Sequence, residues 1–233
     1  MQRRKFTSGL ISMVGAGAVV ALVPSTVWAA ALSETDAASG IRAALERGVA
    51  SAVSLLGRTD GFLGNPKVRI PLPGFLADAA KILKFTGQQQ RVDELVTAMN
   101  RAAELAVPEA KTLLVNAVRS MSVEDGRRIL TGGDNSATQF FATKTRAPLS
   151  VRFLPIVTKA TKKVALADKY NAIAGKAAGI GLVKQDDANL QQYVTGKALD
   201  GLYLMIGEEE RKIRSDPVGT GSALLQRVFG SLR

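Results

Sequence analysis

The 233-residue chain has no cysteine and no histidine. Disulfides, thiol nucleophiles, thiolate or imidazole metal sites and any serine–histidine–aspartate triad are therefore excluded. Aromatic residues make up only 5%, and the single tryptophan is Trp28. No fixed-period repeat and no low-complexity segment is visible. Hydrophobic residues at 46% and charged residues at 22% are ordinary globular usage, which excludes disordered, collagen-like and coiled-coil classes. The length suits one domain or at most two. Positive charge is in excess, with 31 Lys and Arg against 20 Asp and Glu and a net charge of +11.

Residues 1–31 read as an export signal rather than as fold. Arg3, Arg4 and Lys5 form a positive start, an apolar stretch runs from Leu10 to Val23, and Ala29, Ala30 and Ala31 offer small residues for cleavage. The apolar stretch is shorter than the ~20 residues of a bilayer span, so cleavage is expected rather than a retained anchor. Arg3-Arg4-Lys5-Phe6 resembles the twin-arginine export pattern, with Gly9, Gly15 and Gly17 diluting the apolar region. A general secretory leader with adjacent basic residues is the alternative. Without cysteine the chain is not a lipoprotein. Cleavage removes three basic residues and no acid, lowering the net charge from +11 to +8, and it removes Trp28. The mature chain, 32–233, is expected to be periplasmic.

Helical periodicity dominates the mature chain. The spacing predicts a helix over residues 35–56 with Ile41, Leu45, Val49, Val53 and Leu56 inward, closed by a left-handed Gly57. Val68, Ile70 and Leu72 alternate with Arg69 and Pro71. Residues 66–73 therefore read as a short edge strand of a hairpin or as an extended arm. Helices are expected at 75–85 and 89–106, then one opened by Pro108, then a short one opened by a Ser122–Asp125 capping box and stopped at Gly132-Gly133. Asp134 reads as the next N-cap. Phe140, Phe141, Leu149, Phe153 and Leu154 mark the expected centre of the core. A long helix over 151–174, kinked at Pro155, a glycine-rich turn at 175–182, a helix at 188–213 and a tail helix at 223–229 complete the predicted elements. The fold class is all-α, one bundle-like domain.

Several segments read together as a set: Asp60-Gly61-Phe62, Val68-Arg69-Ile70-Pro71-Leu72-Pro73, Met99-Asn100-Arg101-Ala102-Ala103-Glu104, Ala137-Thr138-Gln139-Phe140-Phe141, and Tyr193-Val194-Thr195-Gly196-Lys197-Ala198-Leu199-Asp200. In these segments the chain resembles the bacterial family catalogued as domain of unknown function number 4197, over nearly the whole mature length. The resemblance implies an exported helical bacterial protein, and no activity, cofactor or site residue.

Four constellations are candidates for function. Asn100, Arg101 and Glu104 fall within one helical turn at the border of the apolar stripe. A half-buried Glu104 there could act as a general acid, and the plainer reading is a Glu bonded to Asn100 or to an arginine on a neighbouring helix. Gly132-Gly133-Asp134-Asn135-Ser136-Ala137-Thr138 could cradle an anion on free N–H groups, with a helix stop followed by an N-cap as the plainer reading. Tyr193, Lys197, Asp200 and Tyr203 share a semi-polar helix face interrupted by Gly196 and Gly201, which suggests close approach by another helix or a ligand. On the same helix Glu208–Lys212 and Glu210–Arg214 read as solvated i,i+4 pairs. Finally, no acid stands between Asp134 and Asp168, while Lys144, Arg146, Arg152, Lys159, Lys162 and Lys163 do. That stripe would attract a polyanion. Nucleic acid is set aside for an exported chain, leaving anionic lipid or cell-wall polymer.

No metal site is expected. Asp186-Asp187 and Glu208–Glu210 are carboxylate clusters without a calcium-loop pattern, and no cofactor motif is present. The sequence places first a non-catalytic envelope protein binding an anionic or amphiphilic ligand between helices. A carboxylate hydrolase of cell-wall material, using Glu104 with Asp134 or Asp200, and a scaffold or assembly protein are the alternatives.

Overall fold

The computed structural model describes residues 34–85, 87–181 and 188–216. The expected export signal at 1–31 and the expected tail helix at 223–229 lie outside them. The described residues form eight α-helices and one 3₁₀ turn and contain no strand. They are α1 (Glu34–Gly57), α2 (Gly74–Phe85), α3 (Gln89–Ala106), the turn Val107–Glu109, α4 (Ala110–Arg119), α5 (Val123–Thr131), α6 (Ser136–Thr161), α7 (Ala165–Gly179) and α8 (Leu190–Ser215). The fold is all-α, as the periodicity predicts. The helices belong to one compact unit that begins at Leu32.

The α1 stripe Ile41, Leu45, Val49, Val53 and Leu56 is buried throughout. A glycine stands at the end of α1 for a reason other than the expected left-handed turn. A Cβ on Gly57 would stand 2.9 Å from the Pro108 ring, so the close approach of the 3₁₀ turn excludes a side chain. The positive φ falls instead on Asp60, at 64°. The capping box forms as predicted: Asp125 N–H donates to Ser122 Oγ at 3.0 Å, and Ser122 N–H donates to the Asp125 carboxylate at 3.1 Å. Hydrogen bonds from the Ser122 side chain and backbone hold the Asp125 carboxyl below the usual carboxylate range.

α6 departs most from the sequence expectation. It starts at Ser136, runs through both Pro148 and Pro155, and stops at Thr161. Its buried residues are Ala137, Phe141, Thr145, Leu149, Phe153, Val157 and Thr161, one at every fourth position. A strict interval of four advances about 40° per step on a 3.6-residue helix. The buried line therefore winds around α6, which packs on α8, α3 and α4. Each proline leaves a carbonyl four residues back without its helical donor, and these belong to the exposed Lys144 and Val151. The single helix expected over 151–174 is broken at 162–164, where Val164 is extended, and the turn expected from Gly175 is helix as far as Gly179. Phe141 and Phe153 are fully buried at the core's centre, whereas Phe140 sits half-buried against Phe141 in an edge-to-face contact of 5.7 Å.

Candidate functional site

Between α1 and α2 the chain runs as an arm, residues 58–73, with Phe62, Val68 and Ile70 buried. Of the two expectations for 66–73, the arm is found and the hairpin is not. Val68 and Ile70 point inward, and a side chain on α3 takes the place of a partner strand. Asn100 is fully buried; its Oδ1 accepts from Ile70 N–H at 2.8 Å, and its Nδ2 donates to Ile70 C=O at 3.0 Å and to Val96 C=O at 2.8 Å. One turn on, Glu104 Oε1 accepts from the successive N–H groups of Phe62 and Leu63, both at 3.0 Å. Its Oε2 accepts from Arg101 Nη1 at 2.6 Å, and Arg101 Nη2 donates to Asp60 at 2.8 Å. Three of roughly four acceptor positions on Glu104 are thereby filled. Asn100, Arg101 and Glu104 do come together as predicted, and what they hold is the backbone of the arm. The arginine is on Glu104's own helix, not on a neighbour.

On α8 the same device recurs. Glu210 Oε1 accepts from Ala137 N–H at 3.0 Å, and Oε2 accepts from Thr138 N–H at 2.9 Å and Thr138 Oγ1 at 2.8 Å. These are free donors of the first turn of α6. Arg214 pairs with Glu210 at 2.8 Å, and its Nη2 also donates to Ile129 C=O and Ser136 Oγ, both at 2.7 Å. Ile129 supplies one of the last carbonyls of α5, so one i,i+4 pair on α8 caps the end of α5 and the start of α6 together. The carboxylate faces the positive end of one helix dipole and the guanidinium the negative end of the other.

This corrects three expectations. Glu210–Arg214 is buried, not a solvated pair. Asp134 is not the N-cap of α6; Asn135 holds that position without a side-chain bond, and Glu210 caps from afar. The glycine segment before Thr138 does present N–H groups to an anion, but the anion is the protein's own Glu210. Glu210 was legible in one respect: the buried row Leu199, Tyr203 and Ile206 continues to it at helical spacing.

Glu208 turns away from Lys212, which pairs with Glu209 at 2.7 Å. Glu208 instead pairs with Lys67 of the arm at 2.6 Å, a bond that holds its carboxyl below the usual range. Tyr193, Lys197 and Asp200 share a face as expected. Tyr193 Oη donates to Pro71 C=O at 3.1 Å, Lys197 lies 5.8 Å from the Tyr193 ring centre, and Asp200 pairs with Arg146 at 2.6 Å and Lys197 at 3.8 Å. Tyr203 is buried beneath this face: Arg146, the partner of Asp200, lies 5.9 Å from its ring centre, its hydroxyl shares a hydrogen bond with Thr145 at 2.9 Å, and burial pushes the hydroxyl pKa up. Gly201 meets the arm, since a Cβ there would lie 2.8 Å from the Phe62 ring, while Gly196 faces open space.

Two clefts open near these residues. The larger, about 810 Å³, lies at the α5–α6 junction and is lined in part by Arg128, Gly133, Asp134, Gln139, Phe140 and Lys144. The smaller, about 380 Å³, lies where the arm crosses α8 and includes Lys67, Arg69, Lys197 and Asp200. Glu104 lines neither, so Glu104, Asp134 and Asp200 stand in three different surroundings. Arg152, Lys159, Lys162 and Lys163 are exposed as the stripe predicts, whereas Arg146 is engaged with Asp200. Among the described residues no group of three or more acidic side chains is placed to hold a metal ion, and no helix is long and apolar enough to cross a membrane. Asp186 and Asp187 lie outside the described residues.

Neither a curated protein nor a solved structure matches the chain. The family model described as "Protein of unknown function (DUF4197)" matches residues 31–230, and the chain belongs to that family.

Proposed function

We propose that the protein is a non-catalytic, exported periplasmic binding protein that takes an anionic or amphiphilic ligand between α5 and α6. The observation that carries this reading is the larger cleft. Its volume of about 810 Å³ is in the range of small-molecule sites. Lys144 lines it with no ion pair to any described residue, and Arg128 keeps only long contacts of 3.5 and 4.0 Å to Glu124 and Asp125. Phe140 adds an apolar wall, and the Gln139 and Asn135 side chains add hydrogen-bonding groups. Asp125 and Asp134 share the lining, so the ligand that fits directs its negative headgroup to Lys144 and Arg128 and its apolar body to Phe140. The Glu210–Arg214 clamp fixes the junction on which the cleft is built, so the site is preorganised. The hydrolase reading finds less support, because Glu104 already serves backbone N–H groups and shares no cleft with Asp134 or Asp200.

Native mass spectrometry of the protein purified from its own envelope tests the proposal. The expected spectrum shows an extra mass that leaves on denaturation, and that is lost in a purified Arg128→Glu/Lys144→Glu variant. A bare polypeptide mass from the unaltered protein would overturn the binding reading. The same spectra report whether the chain begins near Ala29–Ala31, which tests export separately.

A further inference from the structure

α7 carries a surface of a different kind. Lys169, Ile173 and Lys176 succeed one another at steps of four and three along one side of the helix, Leu166 starts that row half-buried against the core, and Ile180 follows four residues after Lys176, just past the helix end. The core-facing row of the helix, Ala167, Tyr170, Ala174 and Ala178, is buried. In the outer row Lys169 and Lys176 are exposed, Ile173 is 54% exposed and Ile180 is 74% exposed. Both isoleucines are among the few large apolar side chains left in the open, and each stands one turn beyond a lysine. Lys159, Lys162 and Lys163 lead into this helix, exposed and without an ion pair to any described residue. The one acid on α7, Asp168, sits about 100° around the helix from Lys169.

Charge alone would suit any polyanion. The isoleucines decide between the classes, because a soluble polyanion offers nothing for an exposed aliphatic side chain, whereas a lipid surface offers an acyl boundary directly beneath its phosphates. We propose that the outer row of α7 docks the protein on an anionic phospholipid surface. The lysines meet the headgroup phosphates, and Ile173 and Ile180 enter the boundary between headgroups and acyl chains. The helix lies in the plane of the surface, held by charge and by buried aliphatic area together. This inference stands apart from the α5–α6 cleft and does not depend on it.

Cosedimentation of the protein with vesicles tests it. Vesicles of mixed phosphatidylglycerol and phosphatidylcholine are expected to bind, and pure phosphatidylcholine vesicles are not. Each surface lysine is worth about fivefold in affinity, so Lys169→Gln/Lys176→Gln is expected to weaken binding about 25-fold. Arg91→Gln/Lys111→Gln makes the same charge change elsewhere and is expected to weaken it less than about threefold. Ile173→Ser/Ile180→Ser, at exposed positions, is expected to weaken vesicle binding about tenfold and to leave binding to soluble polyphosphate unchanged. Three results would each overturn the proposal. One is no dependence on phosphatidylglycerol. Another is equal loss in the Arg91/Lys111 pair. The third is full vesicle binding in the isoleucine variant, which would mean attraction of polyanions by charge alone.

Discussion

Glu104 and Glu210 are the two buried carboxylates among the described residues. Each accepts hydrogen bonds from two successive backbone N–H groups far away in sequence, and each shares its helix with an arginine. The difference lies in where the arginine goes. Arg101 precedes Glu104 by three residues, is 35% exposed, and reaches outward to Asp60. Arg214 comes four residues after Glu210, is 16% exposed, and reaches inward to Ile129 C=O and Ser136. At the arm, water and Asp60 remain as partners if the carboxylate is lost. At the α5–α6 junction Arg214 would keep the neutral Ile129 C=O and Ser136 Oγ but would lose its carboxylate partner. The same chemical pair is therefore expected to be a modest tether at one site and a keystone at the other, because solvent access sets the consequence of losing one partner.

Glu210→Ala puts this contrast to its hardest test. It uncaps α6 and leaves Arg214 nearly buried without its partner, so a loss of about 3–5 kcal/mol in urea unfolding is expected. An equal loss from Glu104→Gln would break the comparison. Asn100→Ala comes next, at about 2–3 kcal/mol, since both polar groups of the buried Ile70 backbone lose their partners. Amide exchange at Ile70 should accelerate with it. Gly201→Ala should cost about 2 kcal/mol through collision with Phe62. Gly196→Ala, facing open space, should instead stabilise by about 1 kcal/mol. Their thermal midpoints should move in opposite directions. Glu104→Gln is expected to cost about 1.5 kcal/mol, because the amide oxygen still accepts from Phe62 and Leu63 while Arg101 keeps Asp60.

Asp125→Asn is the smallest effect, about 1 kcal/mol, and it contrasts a cap built locally with one delivered from afar. The lowered carboxyl fixes its sign with pH. Ser122 favours the charged form in the folded state, so the contribution is present above the ordinary carboxylate pKa of about 4 and is lost as pH falls through the folded value. The gap between parent and variant in urea midpoint should be open at pH 7 and should narrow as pH falls below about 4.

Legibility in the sequence depends on the range of the interaction. The α1 stripe and the Ser122–Asp125 box were readable because the stripe's spacing repeats within four residues and the box closes within three. The all-α class was readable for the same reason. α6 was misread because a four-residue interval with two prolines produces no fixed apolar side. Asn100, Arg101 and Glu104 could be picked out by type and spacing, but their partners lie 30 to 42 residues away on an arm with no regular structure. Glu210 was taken for a surface charge because its role depends on Thr138, 72 residues earlier. Asp134 looked like a cap by residue type alone, and a side chain from another helix had already filled that position.

The α8 clamp also sets an order of events during synthesis. When α5 and α6 have left the ribosome, the amides of Ala137 and Thr138 have no protein partner, and the carbonyl of Ile129 has only Ser136 Oγ. Glu210 and Arg214 reach them only after the chain has been made through residue 214. Completion of the junction is therefore a late, nonlocal step, and a chain cut short before Glu210 would carry nearly all of its core residues yet lack the bolt that closes them.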